Sequence, residues 1–319
     1  MNQDMKVVVT GASRGLGKAV LKHLSQINGL KIKGVYREIP KPAEKSIENE
    51  LFIGDIRDTL FLDEIAEWAD LIIHCAGLVS YQTWERQSLF TTNQKATGHL
   101  VDAAINHSTR LIHISSTAAI GFHETNPLLD DIAIPDPEGF ITDYAESKWY
   151  GELEVHRGIT EGLDAVIIAP SIIIGPPEYE LQTAVFVEQA EAGMKYCPSG
   201  SNGFVDIRDL VEVIAKCVFE KPKNSKYIAN GFNMKWIEFF NSLQGPKINA
   251  QAIPIPSFLI GLVYLKAWLF SIFGIRNNLP KSVLKVFQAD FSYHSNLLTD
   301  EFKIKFRDSK STLASMLIK

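Results

Sequence analysis

Cysteine is scarce in this chain. Cys75, Cys197 and Cys217 are odd in number and lack metal-ligand spacing, which excludes a disulfide scaffold, predicts no metal site and fits a reducing, cytoplasmic compartment. A basic excess is missing as well. Lys and Arg number 32 against 37 Asp and Glu, leaving a net charge of −5 and a pI of 5.9, so there is no electrostatic footprint for nucleic acid. No internal repeat or low-complexity stretch is visible. Met1-Asn2-Gln3-Asp4 carries no basic region, and the apolar run Val7-Val8-Val9 stops at Thr10-Gly11. That is too short for a signal sequence, and the mature chain is expected to begin here. Long hydrophobic runs reduce to one, residues 257–275, with Lys266 as its only charge and Pro254, Pro256 and Arg276 flanking it. It is marginal for a membrane span, which wants about 20 apolar residues. The run is expected to be a buried or substrate-covering helix, with peripheral membrane contact as the alternative.

What is present points to an enzyme-sized α/β protein. The 319 residues are 46% apolar, and a chain of this length buries about three quarters of its unfolded surface, so it needs no staple. Length alone suggests two domains, or one α/β unit with an appendage. Short apolar, β-rich runs lie at residues 6–10, 31–36, 50–54, 71–75, 110–115 and 165–169. They do not alternate, as expected of strands covered on both faces in a parallel sheet. Helical patterns at 16–27, 59–67, 84–106 and 142–160 fall between them. The fold class predicted is α/β, a Rossmann-type doubly wound parallel sheet with a smaller, mostly helical C-terminal lobe. Residues 1–172 form the expected dinucleotide-binding domain and 173–319 the substrate lobe, with 204–220 returning to the Rossmann core. Gly175-Pro176-Pro177, Cys197-Pro198-Ser199-Gly200 and Pro254/Pro256 break the rhythm in that second part.

The loop Thr10-Gly11-Ala12-Ser13-Arg14-Gly15-Leu16-Gly17 follows the first strand and opens a helix. Glycines there permit a tight turn and close approach of backbone to a pyrophosphate, which then meets a helix N-terminus. A dinucleotide is the expected ligand. The second strand ends Gly34-Val35-Tyr36-Arg37-Glu38. Arg37 and Arg14 could grip a 2′-phosphate, and this favours NADP(H), with NAD(H) the alternative because Glu38 could serve a free ribose. Asp55-Ile56 would flank the adenine, unless Asp55 caps the next helix.

Tyr144 and Lys148 in Asp143-Tyr144-Ala145-Glu146-Ser147-Lys148 are four apart and share a helix face. A cation beside a phenol lowers its pKa from about 10, as acid/base work requires. Ser115-Ser116-Thr117 stands at a strand end, where a hydroxyl can hold a substrate oxygen.

In order, the loop of residues 10–17, Gly54-Asp55-Ile56, His74-Cys75-Ala76-Gly77, Ser115-Ser116, Tyr144-x3-Lys148 and Ala169-Pro170-Ser171 resemble the short-chain dehydrogenase/reductases. The length and Phe204-Val205-Asp206-Ile207-Arg208-Asp209 resemble the extended branch, the epimerase/dehydratase superfamily, and within it the dihydroflavonol-reductase and 3β-hydroxysteroid-dehydrogenase group. The likeness covers residues 6 to about 215. It implies that Tyr144 is the general acid/base, that Lys148 lowers its pKa and bonds the nicotinamide ribose, and that Ser116 orients the substrate oxygen, with Thr117 as substitute. Ala76-Gly77 would pass close to the cofactor and Pro170-Ser171 would bracket the nicotinamide amide. Asn93 falls where the family often has asparagine. Departures are Arg14 at the usual middle glycine, Ala169 where many members have arginine and Ile174 where many have tyrosine.

The function expected is an NADP(H)-dependent oxidoreductase that interconverts a carbonyl and a secondary alcohol on a fairly apolar small molecule. A nucleotide-sugar epimerase or dehydratase with tightly held NAD is the alternative. It ranks second because the candidate diphosphate ligands Lys195, Lys221, Lys223 and Lys235 are scattered. A non-enzymatic redox sensor ranks third, since the tyrosine and lysine it would lose are both present. A homodimer is expected through the helices at 84–106 and 142–160, as the family commonly pairs.

Overall fold

The computed structural model describes residues 4–40, 51–121, 128–131, 139–194, 196–244, 253–254 and 281–318. In chain order the strands of the main sheet are β1 (Met5–Thr10), β2 (Leu30–Tyr36), β3 (Leu51–Ile53), β4 (Leu71–His74) and β5 (Arg110–Ile114). After the short β6 (Leu128–Leu129) come β7 (Ala165–Pro170), β8 (Ile172–Ile174), β9 (Tyr196–Cys197), β10 (Ser201–Asp206) and β11 (Lys226–Ala229). The principal helices are α1 (Gly15–Leu24), α2 (Thr59–Trp68), α3 (Arg86–Leu89), α4 (Ala96–His107), α5 (Asp143–Thr160), α6 (Ala184–Glu191), α7 (Ile207–Phe219) and α8 (Trp236–Leu243).

Seven strands form one sheet in the order β11-β7-β5-β4-β1-β2-β3, every neighbouring pair parallel. Side chains alternate faces along a strand, and the core divides accordingly. Val7 and Val9 join α1 and α7 on one face. Val8, Ile72 and Leu111 join α2, α4 and α5 on the other. Val7, Val8 and Val9 are all fully buried, each contributing roughly 1.5–3 kcal/mol. The expected doubly wound sheet is therefore present, and its order reverses between β1 and β4, where ligands of open α/β sheets bind.

The helical pattern at 84–106 resolves into separate pieces. A 3₁₀ turn (Thr83–Glu85) and α3 lead into a π-turn (Phe90–Lys95) before α4 begins. The π-turn carries the buried Asn93, a local insertion that hydrophobic period alone does not reveal.

Beyond β7, α7 packs against α1 within the same core cluster, and β11 adds a seventh strand to the sheet. A second sheet, β8 and β10 with β12 (Phe232–Lys235), carries an aromatic core. Phe204 stacks on Phe239 at 4.6 Å and meets Trp236 edge-on at 5.4 Å. A strand pair joins β9 to β13 (Ile253–Pro254), and β14 (Ser292–Tyr293) pairs with β6. The C-terminal region is mostly helical, ending in helices Lys281–Gln288, Asn296–Phe302 and Ser309–Met316. Residues 257–275 lie outside the described residues, and among those described no helix is long and apolar enough to cross a membrane.

Candidate active site

The glycine loop is a backbone construction. Gly11 and Gly15 adopt φ of +70° and +58°, the left-handed region that side chains disfavour. A Cβ on Gly17 would lie 2.2 Å from the Gly11 carbonyl oxygen, and one on Gly11 would lie 2.9 Å from the Ala76 nitrogen. Loop, α1 and the end of β4 are thus closed to side chains, leaving backbone amides at the head of a ten-residue helix whose first turn holds no acid. This cradle fits a dinucleotide pyrophosphate. Arg14 sits extended at the N-cap and makes no capping bond of its own; Ser13 beside it is exposed.

At the adenosine side the structure revises two expectations. Asp55 does not cap α2, because Asp58 accepts from the Leu60 and Phe61 amides instead. Asp55 accepts from Arg57, Oδ2 to Nη2 at 2.5 Å, and that hydrogen bond, with a smaller contribution from the charge of Arg37, holds its carboxyl below the ordinary range. Arg37 is exposed at the end of β2, and part of its field falls on Asp55. Ile56 packs half-buried against the core beneath the sheet.

The catalytic candidates converge at the carboxyl end of β5. Ser116 accepts from the Ala118 amide at 3.2 Å, and its hydroxyl stands near enough to the Tyr144 phenol to act on it. Thr117, its substitute on sequence grounds, stands near the Tyr293 phenol and draws its pKa down. Burial pushes the Tyr144 phenol well above its usual value and Tyr81 adds to this, while Ser116 draws it down. Tyr81, whose ring stands edge-on to Tyr144 at 6.0 Å, comes from an irregular loop and had no sequence signal.

Lys148 is buried on the underside of this pair. Its ammonium donates to the Ile114 carbonyl at 2.8 Å, and burial lowers its pKa to about 8. Asn93 fixes the surroundings. Its Oδ1 accepts from the Leu78 amide, and its Nδ2 donates to the Leu78 carbonyl and to Ser147 Oγ, all at 2.8–2.9 Å. A Cβ on Gly77 would approach Asn93 Oδ1 at 3.3 Å and Lys148 Nζ at 4.0 Å, which sets Gly77 beside the lysine.

One cavity of about 790 Å³ joins these parts, within the range of small-molecule sites. Arg14, Gly15 and Leu16 line one end, Ser116, Tyr144, Pro170 and Ser171 the middle, and Phe186, Trp236, Phe287 and Phe291 the lobe end. Ser171 is anchored through its amide to the Ala229 carbonyl at 3.0 Å. Gly11, Ser13, Gly17, Arg37, Asp55, Ile56, Ala76, Gly77 and Lys148 do not line the cavity, and among the described residues no group of three or more His, Cys, Asp or Glu is placed to hold a metal.

The model of the NAD dependent epimerase/dehydratase family matches residues 7–229, more than two thirds of the chain. The sterol demethylase protein B of Methylococcus capsulatus is 27% identical over 82% of this chain and 81% of its own. Two solved structures share the fold. The enzyme WbmG of Bordetella bronchiseptica in complex with NAD and UDP superposes with a TM-score of 0.75 at 16% identity, covering 98% of this chain and 92% of its own. The UDP-glucose 4-epimerase of Thermotoga maritima with UDP-glucose gives 0.76 at 17% identity, covering 98% and 97%. The expectation of NADP(H), and of a reductase for an apolar substrate, is corrected by these matches: WbmG holds NAD and UDP, and the UDP-glucose 4-epimerase holds UDP-glucose. The physical reason lies at Arg37, an exposed guanidinium at the end of a strand, which looks alike in sequence whether or not a 2′-phosphate is its ligand. The chain belongs to the NAD dependent epimerase/dehydratase family and is an enzyme of the NAD(P)-dependent oxidoreductase and epimerase type.

Proposed function

We propose, for this member of the epimerase/dehydratase family, that the chain uses NAD to epimerise or dehydrate the sugar of a nucleoside-diphosphate sugar. The observation that carries the reading is the placement of Ser116 and Tyr144 together on the wall of a cavity that begins at the glycine loop. NAD, when bound, takes up a hydride at its nicotinamide ring and can return it. Tyr144 Oη takes the proton of a sugar hydroxyl as its carbon is oxidised to the ketone, and gives it back on reduction. Ser116 Oγ holds the same oxygen. Lys148 supplies positive charge beneath the pair and reaches for the nicotinamide ribose. Gly11, Ser13, Arg14, Gly15, Leu16 and Gly17 cradle the pyrophosphate, Asp55 and Ile56 face the adenosine, and Ala76, Gly77, Pro170 and Ser171 frame the nicotinamide. Arg14, the one cation among the described wall residues, faces the diphosphates.

Burial alone makes the Tyr144 phenol a poor base, so charge at Lys148 and hydrogen bonding at Ser116 must both favour phenolate during turnover. The choice of sugar nucleotide and NAD is supported by the ligands of WbmG and of the UDP-glucose 4-epimerase. Within the family we place the lobe nearest the dihydroflavonol-reductase and 3β-hydroxysteroid-dehydrogenase group, on the Phe204–Asp209 run. We keep residues 1–172 as the dinucleotide domain and 173–319 as the substrate lobe, with 204–220 returning to the Rossmann core and β11 to its sheet. A homodimer through α4 and α5 is supported by the exposed Tyr150 and Leu153, and a cytoplasmic location by three free cysteines. The test is incubation with NAD and UDP-glucose or UDP-glucuronic acid, followed by product analysis. A new epimer or a 4-keto-6-deoxy product, absent with Tyr144→Phe, is expected. Inertness toward nucleotide sugars in protein shown to bind NAD would overturn the substrate class.

A further inference from the structure

Helix α5 carries a titratable residue at every fourth position: Tyr144, Lys148, Glu152 and His156. Positions four apart follow one another along a helix face, so this row runs down from the cavity beneath the sheet. Glu152 is fully buried. Its Oε2 accepts from Lys226 Nζ at 2.6 Å, Lys226 reaching in from β11. Its Oε1 is buried with no partner among the described residues, so Lys226 satisfies only one side of the carboxylate. An unsatisfied buried carboxylate oxygen is costly, and the neighbouring cation on the row is Lys148.

We propose that Glu152 is a positioning residue for Lys148: its buried carboxylate, one helical turn away and shared with Lys226, is the counter-charge that keeps the lysine an ammonium bonded to the Ile114 carbonyl. The proposal deepens the functional reading and rests on it for the role of Lys148. The groups facing Lys148 from each packed element leave few other candidates. His74 and His113 stack at 5.5 Å on β4 and β5, and burial together with Lys148 itself holds both neutral. Burial keeps the Cys75 thiol protonated up to about 12. Tyr144 is a neutral phenol, and Lys226 is a cation. Burial pulls Lys148 down to about 8, and of the groups opposing that fall Glu152 comes first. His156 is only half-buried, its proton affinity lowered by burial and by Lys226 and raised by Glu152.

The experiment is a pH titration of the full chain labelled with ¹³Cε-lysine, the Lys148 resonance being the one that vanishes in Lys148→Met. In the unsubstituted protein the midpoint is expected near 8. In Glu152→Gln it is expected to fall by about one pH unit or more, because a buried opposite charge one helical turn away favours the charged form by about that much. The ammonium fraction at pH 8 then drops from half to about one tenth. Should the single variant fold poorly through its unpaired Lys226, the double variant Glu152→Gln/Lys226→Met removes the pair as a unit and is expected to show the same direction. A midpoint unchanged in both variants overturns the proposal. NAD titration of the same samples separates the two accounts. Absent NAD binding with the midpoint shift intact refutes the enzymatic reading alone, whereas retained binding with no shift refutes the role of Glu152 alone.

Discussion

At the glycine-loop end of the cavity the wall is backbone, held by the φ values of Gly11 and Gly15 and by contacts that leave no room for a Cβ at Gly17. At the lobe end it is aromatic side chains, with Trp236 packed among Phe204, Phe239, Phe240 and Phe287. The first end can tolerate almost no substitution, because a methyl group displaces main chain. The second can lose a ring and keep its backbone course, since side-chain packing is plastic at a cost. A pyrophosphate is recognised by fixed amides, whereas the variable part of a substrate meets side chains. The Ser116–Tyr144 pair stands between the two.

The comparison is broken most severely at Gly17. Gly17→Ala places a Cβ 2.2 Å from the Gly11 oxygen, and loss of NAD binding by more than about 100-fold is expected, or loss of the fold, since overpacking here moves main chain; calorimetry and circular dichroism distinguish them. Tyr144→Phe, between the ends, is expected to lower kcat by about 10²–10⁴-fold, the usual worth of a positioned acid/base, with NAD affinity unchanged. Trp236→Ala at the lobe end should cost about 3–5 kcal/mol in denaturant unfolding, as for other buried aromatics, and leave NAD affinity within twofold. If NAD binding falls as far as stability does, the two ends are not independent.

A subtler effect is expected beneath the pair. Lys148 titrates near 8 in the folded protein against about 10.4 unfolded. Below pH 8 both states are protonated and the buried charge opposes folding. Between pH 8 and about 10.4 the unfolded chain binds more protons, so stability rises with pH through that window. Lys148→Met should therefore raise Tm at pH 7 by a few degrees, corresponding to roughly 1–3 kcal/mol, while activity is lost. An unchanged or lower Tm would mean that the ammonium is not a strained group.

Much of this was legible in the sequence, for identifiable reasons. Strands covered on both faces appear as unbroken apolar runs, so Leu71–His74 and Arg110–Ile114 begin at the residues expected. Lys226–Ala229 was missed: it opens with the lysine that reaches Glu152, and four residues carry too little pattern. Tyr144 and Ser116 were legible because spacing and strand ends constrain them, and both line the cavity. Tyr81 lay in a loop that carries no periodicity. Arg37 misled the cofactor reading because a strand-end guanidinium looks alike in sequence whether or not it grips a phosphate.

Arg37 therefore gives the smallest predicted effect and the most direct test. Cofactor-stripped protein titrated calorimetrically with NAD and NADP side by side is expected to bind NAD more tightly, and Arg37→Ala is expected to change that affinity by less than about twofold, as for an exposed charge. Tighter binding of NADP, lost in Arg37→Ala, would contradict the account and remove NAD from the centre of the proposed chemistry.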